Sequence, residues 1–385
     1  MKLSELRFQN ADARAAAYGV IHFLVDAACV LAVERTGAST TVQALTVFWV
    51  ILGYDVLAFA LQAPLGALTD RLKLSRWVVY AGLGLTTVAV LTSRHAAIAT
   101  MLAAGVGNAL FHLGAGASVL RTSGGRATPA GLFVGPGALG LGLGLWMGRT
   151  GIGPAWPFVA LPILSLPLVR YLHVDEIGTP ASRESFGFDI SRRVVSLALP
   201  LLLLSVAIRS FVGFGACREC PKGLLLAAGV PLAACAGKML GGFISDRIGW
   251  IETAVGALLL SAPLVALNGG NFALAFPGLL LFQMTMPVTL VAVWRLIPEK
   301  PATAFGLPAL ALIIGAIPTF FRAGKHLFGP ITFVALIVIS AAALLVSLKA
   351  MGFGRGAFSP ATAADKSPTA ENGSGLTLES GPRRS

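Results

Sequence analysis

Charge is what this sequence has least of. Only 12% of its 385 residues are Asp, Glu, Lys or Arg, about half the share of a typical globular chain. With 56% of the chain hydrophobic, most of the apolar surface must face lipid rather than one soluble core. Four cysteines are too few for a disulfide scaffold. The Gly-rich stretches lie inside apolar runs, not between a strand and a helix, so the chain shows no nucleotide-binding loop, and no cofactor is expected. His-Glu-x-x-His is missing, so no metal site is expected. Basic residues interleaved with aromatics are missing too, so the net charge of +12 does not point to nucleic acid.

What is present is a series of apolar runs long enough to cross a bilayer, which takes roughly 20 residues each. Six fall in the first half, at about Arg14–Val33, Ala44–Leu65, Trp77–Ser93, Ala96–Leu120, Ala127–Met147 and Pro154–Tyr171. Six more follow, at about Val194–Gly215, Gly223–Ile244, Ile251–Asn268, Phe272–Trp294, Ala302–Phe321 and Leu327–Leu348; the ninth is the shortest. The expected fold is therefore an all-α membrane protein of twelve transmembrane helices in two pseudo-symmetric six-helix bundles. Residues 1–172 form the first half, 173–193 a central cytoplasmic loop, 194–350 the second half, and 351–385 a Gly-, Ser- and Pro-rich tail that reads as disordered. With the N-terminus inside, twenty of the 29 Lys and Arg fall on the cytoplasmic side and seven outside. That bias places both termini in the cytoplasm, in a multi-pass protein of the inner (plasma) membrane expected to be a monomer.

A motif occurs twice. The loop after the second span reads Gly66-x-x-x-Asp70-Arg71, with Arg76 beyond it, and the loop after the eighth reads Gly242-x-x-x-Asp246-Arg247. Glycine permits close helix approach. The carboxylate can cap a neighbouring helix N-terminus or pair with Arg, and either contact could latch one conformation. Two copies half a chain apart signal an internal duplication.

With Gly66, Leu68, Asp70, Arg71 and Arg76 matching its second-to-third-loop signature, the chain resembles the major facilitator superfamily. That resemblance implies a secondary transporter with a site near the bilayer midplane, alternately exposed to the two sides, and a small-molecule substrate. Gly131-x-x-x-Gly135-Pro136-x-x-x-Gly140 in the fifth span is similar to part of the family's antiporter signature; it reads equally as a small-residue face for helix packing. Gly105-x-Gly107-Asn108-Ala109-x-Phe111-His112 in the fourth resembles the fosmidomycin-resistance branch of exporters.

Ionisable groups inside a membrane are costly and usually functional. His22 and Asp26 lie one turn apart on the first span, Asn108 and His112 share a face of the fourth, Arg209 is in the seventh and Gln283 in the tenth. By resemblance these four spans line the central cavity, which makes the six residues the expected substrate and proton pathway. Asp26 reads as a proton carrier for coupling, or as a permanent structural partner of Arg209. Arg209 itself binds an anionic substrate or snorkels towards the outside. His112 carries protons or bonds between helices. Lys238, near the cytoplasmic end of the eighth span, reads as snorkelling, and Asp55 in the second as a helix contact. Cys217 and Cys220 sit in an outside loop, where a disulfide could form. The leading functional reading is a proton-coupled exporter of a small organic compound. Uptake of an organic anion is the main rival. A membrane-embedded enzyme, with His22, Asp26 and His112 as a metal site, and a non-transporting receptor or scaffold are the remaining readings.

Overall fold

The structure is a computed structural model. It describes residues 3–37, 44–174, 191–216, 228–321 and 328–353. Most of the central loop, Cys217, Cys220 and the tail from residue 354 lie outside the described residues.

Among the described residues there is no strand; the chain forms fifteen helices. These are α1 (Leu3–Gly37), α2 (Ala44–Ala60), α3 (Gln62–Leu72), α4 (Ser75–Thr92), α5 (Ala97–Thr122), α6 (Ala127–Thr150), α7 (Trp156–Leu164) and α8 (Leu166–Leu172) in the first half. The second half has α9 (Arg192–Ala216), α10 (Val230–Ile248), α11 (Trp250–Ala266), α12 (Phe272–Gln283), α13 (Thr285–Leu296), α14 (Pro301–Phe320) and α15 (Pro330–Ala350). Fifteen helices make twelve rods, because α2/α3, α7/α8 and α12/α13 are interrupted only at Leu61, Ser165 and Met284. A proline follows each break by two or three residues: Pro64, Pro167 and Pro287. Lacking an N–H, each leaves the carbonyl four residues back without its helical donor. Among the described residues eight rods are long and apolar enough to cross a membrane; Trp156–Leu172 and Trp250–Ala266 are apolar but shorter.

The packing repeats between halves. The first rod lies along the fifth (α1 on α6) and the seventh along the eleventh (α9 on α14). The third lies on the fourth (α4 on α5) and the ninth on the tenth (α11 on α12). Two seams then join the halves: α6 against α10, and α14 against α3.

A buried knot lies where the first half is expected to end, at residue 173. The His173 side chain is wedged between Tyr18 of α1 (Nδ1 to Oη, 3.0 Å) and Ser75 of α4 (Nε2 to Oγ, 2.9 Å). Arg121 donates to Ser75 Oγ (3.2 Å) and to the Val174 carbonyl (3.3 Å), while the Val174 amide donates to Ser118 (3.0 Å). The chain is therefore tied to the first six rods through Val174. Burial, helped by the charges of Arg121 and Arg76, pushes the His173 imidazole down to about 3. An unfolded histidine protonates near 6.5, so between pH 6.5 and 3 the unfolded chain holds a proton that the folded chain lacks. Stability must then rise with pH across that window, by up to about 1.4 kcal/mol per unit from this residue. His173→Gln is expected to flatten the pH dependence of the unfolding midpoint between pH 6.5 and 4. An unchanged slope would mean that the acid sensitivity lies elsewhere.

Candidate functional site

Four of the expected pathway residues meet inside the first half. In the rod Ala11–Gly37, His22 and Asp26 are a turn apart near mid-length, so both point into α5. There Asn108 donates from Nδ2 to Asp26 Oδ1 (2.7 Å), His22 Nε2 lies 3.0 Å from Asp26 Oδ2, and His112 Nε2 lies 3.8 Å from Asp26 Oδ1. All four side chains are buried.

The tautomers follow from the remaining contacts. His22 Nδ1 is 2.8 Å from the Phe133 carbonyl, and His112 Nδ1 is 2.8 Å from the Asn108 carbonyl. A carbonyl only accepts, so both Nδ1 atoms carry hydrogens. Both Nε2 atoms would then present bare lone pairs, yet they face each other at 2.6 Å. Two lone pairs at that distance repel; one cation between them removes the conflict. The same three residues bring ligand atoms within 4.8 Å of one another, so a metal is the other candidate. Distance decides between them. Two nitrogens bound tetrahedrally to zinc at about 2.0–2.1 Å sit roughly 3.3 Å apart, well beyond 2.6 Å. The spacing fits a shared proton, with Asp26 as the counter-charge.

Pro136 helps to build this site. It lies inside α6, leaves the Leu132 carbonyl, next to the one that accepts from His22, without its helical donor, and packs its ring against Gly19 of α1. Gly137 is required there, since a Cβ would meet Asp26 Oδ2 at 2.7 Å. Gly140 lies on the Phe23 backbone, so one face of the glycine pattern seats α6 on α1. Gly131 and Gly135 belong to the other face. Added Cβ atoms would meet the Lys238 carbonyl at 2.6 Å and the Cys235 carbonyl at 3.1 Å, both on α10 across the seam. From the second half Phe305 closes over the cluster, its ring 6.3 Å from His112 and 5.8 Å from Phe133.

Arg209 is not paired with Asp26. Its Nε donates to the Ser205 carbonyl (3.2 Å), one Nη to Thr285 Oγ1, and the other to Thr289 Oγ1 (2.9 Å). Nor does it extend towards the C-terminal end of α9. Side chains lean towards their helix N-terminus, so Arg209 reaches back along α9 to Thr285, which is midway along the rod Phe272–Leu296. The two halves thus bridge matching rods, first to fourth with histidine and aspartate, seventh to tenth with arginine and threonine. Thr285 and Thr289 belong to no recognisable motif, so their sequence gives no sign of the role. Gln283 is half-buried next to the break in the tenth rod, apart from the bonds that Arg209 and the histidines make. Lys238 is turned into the seam, where Nζ lies 3.5 Å from the Val134 carbonyl of the opposite half.

The duplicated motif forms two matching helix caps across the seams. Asp70 accepts from the amides of Ala302 (3.0 Å) and Thr303 (2.7 Å) and from the Thr303 hydroxyl (2.7 Å). Asp246 accepts from the amides of Ala127 (2.8 Å) and Thr128 (2.7 Å) and from the Thr128 hydroxyl (2.6 Å). Each carboxylate thus caps the N-terminus of a helix in the opposite half, where free amides and the helix dipole favour an anion. The glycines make room: a Cβ on Gly66 would meet the Ala302 carbonyl at 2.7 Å, and one on Gly242 the Ala127 carbonyl at 2.6 Å. Trp250 also donates to Asp246 (3.4 Å). The neighbouring arginines take no part in the caps. Arg71 is exposed, and Arg247 folds back over its own Phe243 ring at 3.1 Å. Arg76 lies at the start of α4, half-buried.

No protein-family model and no curated protein matches the chain. Solved structures do match. A variant of the E. coli fucose:proton symporter aligns at TM-score 0.60 and 12% identity over 88% of this chain and 97% of its own. A structure of the same transporter in the outward conformation aligns at 0.57 and 11% over 86% and 99%. The human organic anion transporter TETRAN aligns at 0.59 and 16% over 88% and 99%. The fold is that of the major facilitator transporters.

Proposed function

We propose that this chain, built on the major facilitator fold, is a proton-coupled secondary transporter of a small organic compound, working by alternating access in a bilayer with both termini cytoplasmic. The supporting observation is the pair of imidazoles whose Nε2 atoms face each other at 2.6 Å beside Asp26. The coupling group is the His22–His112–Asp26 unit as a whole rather than Asp26 alone, because both imidazoles and the carboxylate compete for one proton. The locks at Asp70 and Asp246 hold the cytoplasmic end shut, and losing the shared proton frees His112 to press on Phe305 and loosen the seam. The fosmidomycin-exporter resemblance of the fourth span favours export.

Spin labels report the motion. Leu72 and Ile248, both exposed, flank the two locks on opposite halves; Ile152 and Leu267, also exposed, lie towards the other end. With the native cysteines replaced, raising the pH from about 5.5 to about 8.5 is expected to lengthen the Leu72–Ile248 distance and shorten the Ile152–Leu267 distance. The change disappears in His112→Gln and persists in EDTA. Distances that never move in opposition would leave a static scaffold, and a loss of the change in EDTA would put a metal in place of the proton.

A further inference from the structure

The charges of the two halves do not balance alike. In the first half Asp26 has a proton-holding partner. In the second, Arg209 is 7% exposed, and every group it touches is neutral: one backbone carbonyl and two hydroxyls. Among the described residues no carboxylate reaches it. Both hydroxyls are fixed as acceptors, since Thr285 Oγ1 donates onward to the Phe282 carbonyl (3.1 Å) and Thr289 Oγ1 to the Thr285 carbonyl (2.8 Å). The guanidinium is therefore held in one orientation without being neutralised. A guanidinium has five N–H donors; three are used, leaving two for a ligand. An uncompensated buried charge is unfavourable unless an opposite charge joins it.

We infer that the transported compound carries an oxyanion, a carboxylate or a phosphate-type group, and that Arg209, positioned by Thr285 and Thr289, receives it. This inference rests on the transporter reading and names its substrate class. A planar fork of N–H donors suits both kinds of oxyanion, and the site stands in the rod pair that matches the proton site in the other half. Substrate anion and coupling proton thus bind on opposite sides of the interface between halves.

The test uses the purified full chain in detergent at fixed pH and ionic strength. Sodium acetate, sodium phosphate and sodium chloride are titrated while the unfolding midpoint is read. Acetate or phosphate is expected to raise the midpoint above chloride. Arg209→Gln should weaken the apparent affinity by about tenfold or more, and Arg209→Lys should keep part of the response. Should Arg209→Gln fail to fold, Thr289→Val, which leaves the charge but loosens its seat, is expected to weaken binding less. No oxyanion effect in the wild type, an effect matched by chloride, or one undiminished in Arg209→Gln and Thr289→Val overturns the inference. The pH-driven distance changes at Leu72 and Ile248 do not require Arg209 to bind an anion. Their survival alongside a failed titration would reject the substrate class and leave the proton-coupled transporter standing.

Discussion

Asp26→Asn is expected to strip the His22–His112 pair of its shared proton. An imidazolium buried without its carboxylate is destabilised by about 3–5 kcal/mol. The bridging proton should therefore leave the pair. Nitrogen-15 histidine spectra of the wild type at neutral pH should show two coupled imidazoles with one strongly deshielded proton between them. In Asp26→Asn that proton vanishes, and both rings report hydrogen on Nδ1 alone. With a transported compound in hand, proton release on its addition should fall to background in the same variant. His112→Gln offers a control of different chemistry: Asp26 then keeps one histidine partner at 3.0 Å, so an ion pair survives while the shared proton is lost. A deshielded proton that persists in Asp26→Asn would show that the carboxylate does not hold it.

The second large effect belongs to the locks. Asp70→Asn and Asp246→Asn each replace one accepting oxygen with an NH2 group facing backbone amides. The loss of a charge-assisted acceptor costs about 1.5–3 kcal/mol per site. Both together cost roughly 3–6 kcal/mol, enough to move a two-state equilibrium by two to four powers of ten. The double variant should therefore populate the cytoplasm-open state at every pH, with the Leu72–Ile248 distance long from acid to alkaline conditions. Each single variant should shift the pH midpoint of that distance change partway, since the remaining lock keeps its three bonds. Equal distances in wild type and double variant would reduce the locks to ordinary helix caps.

The rods are legible in the sequence because a bilayer imposes one length on every span, and the repeated Gly-x-x-x-Asp-Arg marks one side of each lock. The receiving side is harder to read because its donors are backbone amides, which leave little trace in side-chain identity. A trace does exist: Ala127-Thr128-x-x-Gly131-Leu132 recurs as Ala302-Thr303-x-x-Gly306-Leu307, and Gly306 seats α14 on the Gln62 backbone much as Gly131 seats α6 on Lys238. Asn108 and His112 are recognisable as one face of one helix, but their pairing with His22 and Asp26 depends on the packing of α5 on α1. The depth of Arg209 is misleading in the sequence because its Cα lies towards the C-terminal end of α9 while its guanidinium reaches the middle of the tenth rod. Span counting locates an α-carbon; the several ångströms of side chain beyond it follow from helix direction. For the same reason Lys238 reads as a residue of the water boundary although its ammonium sits in the seam.

The locks also bear on how substitutions here will read. Beside one threonine hydroxyl, each carboxylate grips two main-chain amides, which every residue except proline supplies alike. In a saturation mutagenesis screen Ala127 and Ala302, both fully buried, should therefore accept only small side chains such as serine, and for want of space rather than for loss of the bond they make, while Asp70, Asp246, Gly66 and Gly242 tolerate few. Such a map would report the space around the two alanines and miss the amides being gripped, because those are common to nearly all amino acids.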